Sequence, residues 1–418
     1  MRFIHAADIH LDSPLIGLSA YPDAPAQMLR SATRDAFTNL INEAIEQQVD
    51  FVVIAGDLYD GGWKDHNTGI YFCREMGRLK KAGIKAYVKF GNHDAESEMT
   101  KKLVLPDNVH TFESRKAHTF IIDELNVALH GRSFKDAATT ENLSQSYPDP
   151  LPGMFNIGVL HTALGVQSTH ANYAPCTLDE LQAKGYQYWA LGHVHEYQMW
   201  QGHSTIVFPG NLQGRHVRET GPRGAVLVTA DETGVQKVER LFVDVLRWHS
   251  VNVDATSCST MPEVVHAINR ELETLVQSGP PNMPSAVRIT ITGKTPVHGE
   301  LFGMEAQLRA EVLACAAAIA PERLWIEKVK TATTASDETE AIRARGDALA
   351  DLQEFFEQAQ TDPDFLDSLK NDLMGLVSKA PLELQNAVPC FKDIRSGELS
   401  GLVGEVRPGL VSQLARME

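Results

Sequence analysis

The feature that most constrains this chain is a rhythm in its first 200 residues: a short apolar run that stops at once on polar residues. It occurs in "RFIHAADIH", "DFVVIAGD", "IKAYVKFGNHD", "FNIGVLHTA" and "YQYWALGHVHE". Helical patterns separate the first three. "SATRDAFTNLINEAIEQQ" places Ala36, Phe37, Leu40, Ile41, Ala44 and Ile45 on one face, the i, i+3, i+4 recurrence of an amphipathic helix, and "IYFCREMGRLKKAG" follows as a second helix. A run such as "DFVVIAGD" is apolar on both faces, as a central strand of a covered sheet must be. Strands alternating with helices predict a layered α/β fold, completed by the β-rich "STIVFPGN", "RGAVLVTAD" and "KVERLFVDV".

This first part is expected to span residues 1–245. Near Leu246 the pattern changes to strand, helix, strand, helix, strand, running from "RWHSVNVDA" to "RLWIEKVKT", which predicts a small α+β domain over 246–335. Residues 336–418 read as an acidic helical segment, with two amphipathic helices broken at "TDPD", where Asp362 caps and Pro363 starts the second. Residues 337–372 hold 11 acidic and 3 basic side chains. No run crosses a bilayer and no signal-peptide core precedes the first strand, so a cytoplasmic protein is expected. The five cysteines are scattered, without a CxxC, and imply neither a disulfide framework nor a zinc knuckle.

A net charge of −16 looks adverse for a nucleic-acid enzyme, but its distribution matters more than its sum. Residues 1–250 carry 23 basic and 29 acidic side chains, against 15 and 25 in residues 251–418. Bound metal ions would further offset carboxylates in the first part. A phosphate-bearing substrate therefore stays admissible.

The polar strand ends offer Asp8 and His10, then Asp57, then Asn92 and His93, then His161, then His193 with His195. Ligands collect outside the carboxyl ends of strands in open α/β sheets, so these scattered positions are expected to converge. Two carboxylates, one amide oxygen and four imidazoles, with no thiolate, suit Mn²⁺, Fe²⁺ or Zn²⁺ rather than a structural zinc. Seven ligands fit two ions with Asp57 bridging, a pair able to hold a hydroxide and the phosphoryl oxygens it attacks. Singly, each element has a plainer reading: a strand-end turn at Asp57, a capping residue at Asp8, a hydrogen-bonded core histidine at His161.

The ordered set DxH, GDxxD, GNHD, strand-terminal His and GHxH resembles the calcineurin-like metallophosphoesterases. Within that superfamily the chain is similar to DNA-repair nucleases of the SbcD type, and most similar to the YhaO-like branch in "GDLYDGGWKDHNTG", "HGRSF" and "FPGNLQGRHVRETGPRG". The resemblance implies a four-layer α/β/β/α sandwich with a small capping domain. It implies that Asp8, His10, Asp57 and His195 bind one ion, and Asp57, Asn92, His161 and His193 the other. His93 would contact the scissile phosphate and protonate the leaving oxygen, with Asp60 as the carboxylate on its other nitrogen.

Beside such a site Arg215, His216 and Arg218, with Arg223, are expected to meet substrate phosphates. Lys64, Lys101 and Lys102 are weaker candidates, while Tyr71 and Phe72 should pack in the core or on a dimer face. The leading expectation is a DNA exonuclease with two divalent ions, Mn²⁺ foremost and Fe²⁺, Zn²⁺ or Mg²⁺ admissible; the resemblance implies an SbcC-like coiled-coil ATPase docked on the C-terminal helices, which read equally well as a solvated face packed on the protein's own body. Two other functions fit the same residues: hydrolysis of small phosphomonoesters or cyclic nucleotides, and a structural subunit that binds DNA ends.

Overall fold

The computed structural model describes residues 1–18, 25–60, 66–96, 104–136, 138–165, 173–335, 348–381 and 389–415. The chain divides into two compact units, Met1–His249 with Asn282–Ala286, and Ser250–Pro281 with Val287–Glu418.

In the first unit the chain runs β1 (Arg2–Ala6), α1 (Ala26–Glu46), β2 (Phe51–Ala55), α2 (His66–Lys81), β3 (Lys85–Lys89), a single helical turn α3 (Asn92–Glu96) and β4 (Val109–Thr111). These strands are parallel. A second sheet follows from β5 (His118–Ile122), β6 (Val127–Gly131), β7 (Phe155–His161), the short helix α4 (Leu178–Ala183), β8 (Tyr188–Gly192), β9 (Gln198–Gln201) and β10 (Thr205–Phe208). The chain then returns to the first sheet with β11 (Gly224–Asp231) and β12 (Gly234–Phe242). The sheets have six strands each, in the orders β12-β11-β1-β2-β3-β4 and β5-β6-β7-β8-β10-β9.

Alternation along β1 shows why its sequence is apolar on both faces. Ile4 and Ala6 pack beneath α1 and α2 with Phe37, Leu40 and Phe72, while Phe3 enters the core between the sheets with Val53, Val159 and Tyr188. A third core covers the far face of the second sheet with Phe134, Tyr147, Leu181 and Trp189. These layers make the α/β/β/α sandwich. His5 is buried between the sheets, its ring nitrogens 2.9 Å from the Tyr188 hydroxyl and 3.0 Å from the Leu191 carbonyl oxygen. Burial drives its pKa down to about 3, the Leu191 bond only partly opposing.

A three-stranded sheet, most of whose residues belong to the second unit, contains Arg247–Asp254, Ser285–Thr295 and Leu324–Ala335 in that order. The helices Met261–Ser278 and Glu305–Ile319 lie between them in sequence and share their core, through Val264, Ile268, Leu308 and Val312 against Val287, Ile289 and Ile326. The helix Pro363–Val377 is capped by Asp362, which accepts from Asp364 and Phe365 N–H groups. Two later helices, Pro389–Ser396 and Ser400–Ala415, lie in the stretch read as helical; the first is amphipathic and the second almost unpatterned. Among the described residues no helix is long and apolar enough to cross a membrane.

Candidate dinuclear metal site

Because β1, β2 and β3 are parallel, as are β6, β7, β8 and β10, the polar tips leave the strands at one end of the first unit. The tips are laced together by main-chain bonds. Asp8 N–H donates to Gly56 O and His10 N–H to Asp57 O, each at 3.0 Å. The His193 N–H lies 3.0 Å from both oxygens of Asp8, and the His93 N–H donates to Asp57 Oδ1 at 3.1 Å.

This lacing forces unusual backbone. Asp8, His10, Asp57 and His193 adopt φ of 49°, 45°, 51° and 101°. Non-glycine residues in this region cost on the order of 1–3 kcal/mol each and persist where their surroundings over-determine them. Two glycines make room for the approach. A Cβ on Gly56 (φ +105°) would stand 2.3 Å from His161 Nδ1, and one on Gly91 would stand 2.3 Å from Asp57 Oδ1.

The side chains then form two adjoining groups. Asp8, His10 and His195 present donor atoms within 4.8 Å of one another, and so do Asp57, His161 and His193. Asn92 joins the second group, its Oδ1 2.9 Å from His161 Nε2. Asp57 Oδ2 joins the two, 3.3 Å from His161 Nε2 and 4.0 Å from His10 Nε2.

The hydrogen bonds behind the rings decide what the front can bind. His195 Nδ1 is 2.7 Å from Glu219 Oε1, and His10 Nδ1 is 3.5 Å from Asp60 Oδ1. An ionised carboxylate only accepts, so His195 Nδ1 holds the proton and its Nε2 keeps its lone pair, while Asp60 favours the same tautomer of His10 by proximity without closing a hydrogen bond. Those two Nε2 atoms face each other at 3.3 Å. Likewise His161 Nδ1 donates to Ala55 O at 3.0 Å, leaving Nε2 toward Asp57. Lone pairs aimed at one another are repulsive unless a cation lies between them. The donor set therefore fits two divalent ions of nitrogen and oxygen preference.

The electrostatics divide: Asp57 and His10 are shifted toward the ligating form, while Asp8 and His161 are shifted toward holding a proton that an ion would have to displace. Burial pushes the Asp8 carboxyl up, against His161 and His195. For Asp57 burial acts the same way but is overcome by His161, with His10 and His93, which hold it well below the usual carboxylate range. His10 falls to about 3, through burial and then Arg215. His161 is raised, burial resisting and Asp57 prevailing.

His93 lies at the rim, 39% exposed, with Nδ1 3.4 Å from Asp60 Oδ1. His10 shares that carboxylate, and the His10 ring chiefly holds Asp60 below its ordinary range. Arg215 is mostly buried, with Nη1 3.2 Å from Ser13 Oγ and Nη2 3.5 Å from Glu219. His216 is half-buried and Arg218 exposed. The expectation for Arg223 is corrected: it is buried and spent on protein, donating to His195 O, Thr220 O and Glu196 rather than facing a substrate. Lys64, Lys101 and Lys102 lie outside the described residues. Tyr71 and Phe72 pack in the helix-side core.

Three residues at the site were not apparent from the sequence. Asp94 accepts main-chain N–H bonds from Leu58, Tyr59 and Gly91 at 2.8–3.1 Å, tying the GDLYD and GNHD loops together. Burial, then Asp57, raises it to about 6. Lys89 is fully buried, its Nζ 3.3 Å from Phe90 O and 4.3 Å from the Phe134 ring centroid. Burial lowers it to about 7 although Asp57, Asp94 and Asp8 oppose. A lysine inside the apolar run "IKAYVKF" was its only signal. Glu219 had none, since it lies in an irregular loop.

Fold and site together define a metallophosphoesterase. The calcineurin-like phosphoesterase family matches residues 1–197, and the middle domain of metallophosphoesterase YhaO matches residues 248–334. The chain is 33% identical over 300 residues to the uncharacterized metallophosphoesterase YhaO of Bacillus subtilis, covering 71% of this chain and 72% of that protein. It belongs to the calcineurin-like metallophosphoesterase family, with YhaO as a relative. It is also 28% identical over 279 residues to the DNA double-strand break repair protein Mre11 of Methanopyrus kandleri, covering 59% of this chain and 57% of that protein. Against the SbcD subunit of the nuclease SbcCD of Escherichia coli K12 it is 24% identical over 344 residues, covering 67% of this chain and 83% of that protein.

Proposed function

We propose that this protein is a metal-dependent DNA nuclease, an exonuclease acting in repair or end processing. The observation that carries the chemistry is the pair of donor groups joined by Asp57, with His93 at their rim and backed by Asp60. Two divalent ions bound there would supply Lewis acidity and an activated water. Asp8, His10, Asp57 and His195 would hold one, and Asp57, Asn92, His161 and His193 the other. The chain's own residues do the rest. His93 stands where a proton can be passed to the departing oxygen, and Asp60 fixes its ring by accepting from Nδ1. His216, 3.7 Å from Glu219, and Arg218 two residues on would serve as phosphate contacts for a longer substrate.

DNA as substrate is supported by the names of the Mre11 and SbcCD relatives. The name of the SbcCD subunit supports a partner subunit, which we propose to be an SbcC-like coiled-coil ATPase, in the cytoplasm. Phe355 and Leu376, 53% and 61% exposed on the C-terminal helices, are candidates for its docking. Mn²⁺ is the proposed ion because the donors mix imidazole with carboxylate and lack thiolate. The domains would be a catalytic part over 1–245, a capping domain over 246–335 that shapes substrate entry, and a docking segment over 336–418.

The test is purified protein with Mn²⁺, offered linear duplex DNA, circular single-stranded DNA and p-nitrophenyl phosphate esters beside a His93→Ala control. Cleavage of linear DNA that the control lacks is expected. Turnover of the small esters with neither DNA touched would sink the nuclease reading.

A further inference from the structure

Glu219 lies in the stretch "FPGNLQGRHVRETGPRG" but in none of the ligand motifs, yet it is a fully engaged carboxylate at the site. It is 5% exposed, in the loop between β10 and β11. Its Oε1 is 2.7 Å from His195 Nδ1, and its Oε2 accepts from the Arg215 N–H at 2.7 Å and the Asn211 amide at 3.0 Å. Across the guanidinium of Arg215 stands a second carboxylate: Nη2 lies 3.5 Å from Glu219 Oε1 and Nη1 lies 3.9 Å from Asp60 Oδ1. Asp60 in turn faces Nδ1 of His10 at 3.5 Å and Nδ1 of His93 at 3.4 Å. One arginine thus stands between the carboxylates behind three site histidines.

We propose that Glu219 is the positioning carboxylate of His195 and that Arg215 is the yoke joining it to Asp60. Glu219 keeps the proton on His195 Nδ1 and so delivers Nε2, lone pair outward, to the ion shared with Asp8 and His10. Arg215 holds both carboxylates at fixed distance and charge. It thereby sets the ring of a metal ligand and the ring of the rim histidine from one point. This assigns Arg215 to the back of the site and leaves phosphate contact to its neighbours. The inference rests on the dinuclear reading, not on DNA as substrate.

A glutamine at 219 cannot reproduce the arrangement. Its amide must turn an N–H toward one of three donors that now meet oxygen, either His195 Nδ1 or the Arg215 and Asn211 N–H groups. A merely structural Glu219 would lower stability and weaken both ions alike. A positioning Glu219 weakens one.

The experiment is Mn²⁺ titration by calorimetry on the full chain, wild type against E219Q and E219D, with thermal melting alongside. Expected is a 10–100-fold loss of affinity at one of two sites in E219Q, the other unchanged, with part of the loss restored in E219D, which keeps the charge. Two sites of wild-type affinity in folded E219Q, or equal weakening of both, would overturn the assignment. Should E219Q not fold, E219D decides: weakening confined to one site supports it, and equal weakening or none overturns it. Wild-type protein binding fewer than two ions would instead defeat the dinuclear reading beneath it. For Arg215, R215K is assayed on a p-nitrophenyl phosphodiester. A fall in kcat of tenfold or more at unchanged KM supports the yoke; a raised KM at unchanged kcat makes Arg215 a phosphate ligand and overturns it.

Discussion

The two halves of the metal site are built differently. The half made by Asp8, His10 and His195 has carboxylates, Asp60 and Glu219, behind its imidazoles. In the half made by Asp57, Asn92, His161 and His193, the ring of His161 is fixed by the Ala55 carbonyl at the end of β2. A carboxylate raises ligand basicity more than an amide carbonyl and can be altered by mutation; the carbonyl belongs to the sheet itself. Exposure does not separate the halves, since Asp8 and His10 are as buried as His161 and His193; His195 alone among these histidines opens to the rim. The first half is thus the one that surrounding residues can tune, and the second is anchored by the fold.

Asp57 is the element common to both halves, so its removal should erase the distinction. Asp57→Asn is expected to cost about 10⁴ in kcat/KM, roughly 5 kcal/mol of transition-state stabilisation, with loss of both ions by elemental analysis. Retention of one ion would show that the halves are independent. Next in size is His93→Ala, which should lower kcat by about 10²–10⁴ while both ions stay bound. Lost metal in that variant would move His93 into the ligand set.

His5 tests the fold beneath the halves. Its pKa of about 3 lies below the ordinary histidine value, so the unfolded chain binds the extra proton first. Its contribution to stability is complete above about pH 6.5 and is lost as pH falls toward 3. By pH 4 the loss should be roughly 3 kcal/mol in urea melts. His5→Gln should flatten that slope, and an unchanged slope would assign acid lability elsewhere.

The smallest effect concerns Lys89, a buried cation whose charge is felt by Asp57 and Asp8. Replacing it with methionine removes a competing positive charge and should tighten Mn²⁺ binding about tenfold, ~1.4 kcal/mol. Weaker binding in a folded Lys89→Met variant would make the lysine a structural support for the ligands instead.

What the sequence exposed was whatever repeats or faces two ways. β1, β2, β7 and β8 are short apolar runs ending on a ligand, and each could be read directly. The spacing of His193 and His195 around Val194 had the same legibility. Elements without periodicity were lost. β4 is three residues long, β9 alternates with little apolar content, and the helix Ser400–Ala415 has an almost unpatterned surface. The carboxylates behind the rings were illegible for a further reason. Glu219 reaches His195 across 24 residues of chain through an irregular loop, and only the folded path brings them together. The same loop hid the fate of Arg223, whose partners, two main-chain oxygens and the Glu196 carboxylate, no residue pattern announces.

The separate strand ends would make one centre for two ions. This is tested most directly by counting Mn²⁺ bound at saturation to wild type, His195→Ala and His161→Ala. Two ions per chain are expected in wild type and one in each variant, with different affinities remaining in the two. A single ion in wild type, or both ions retained when either histidine is gone, would contradict it.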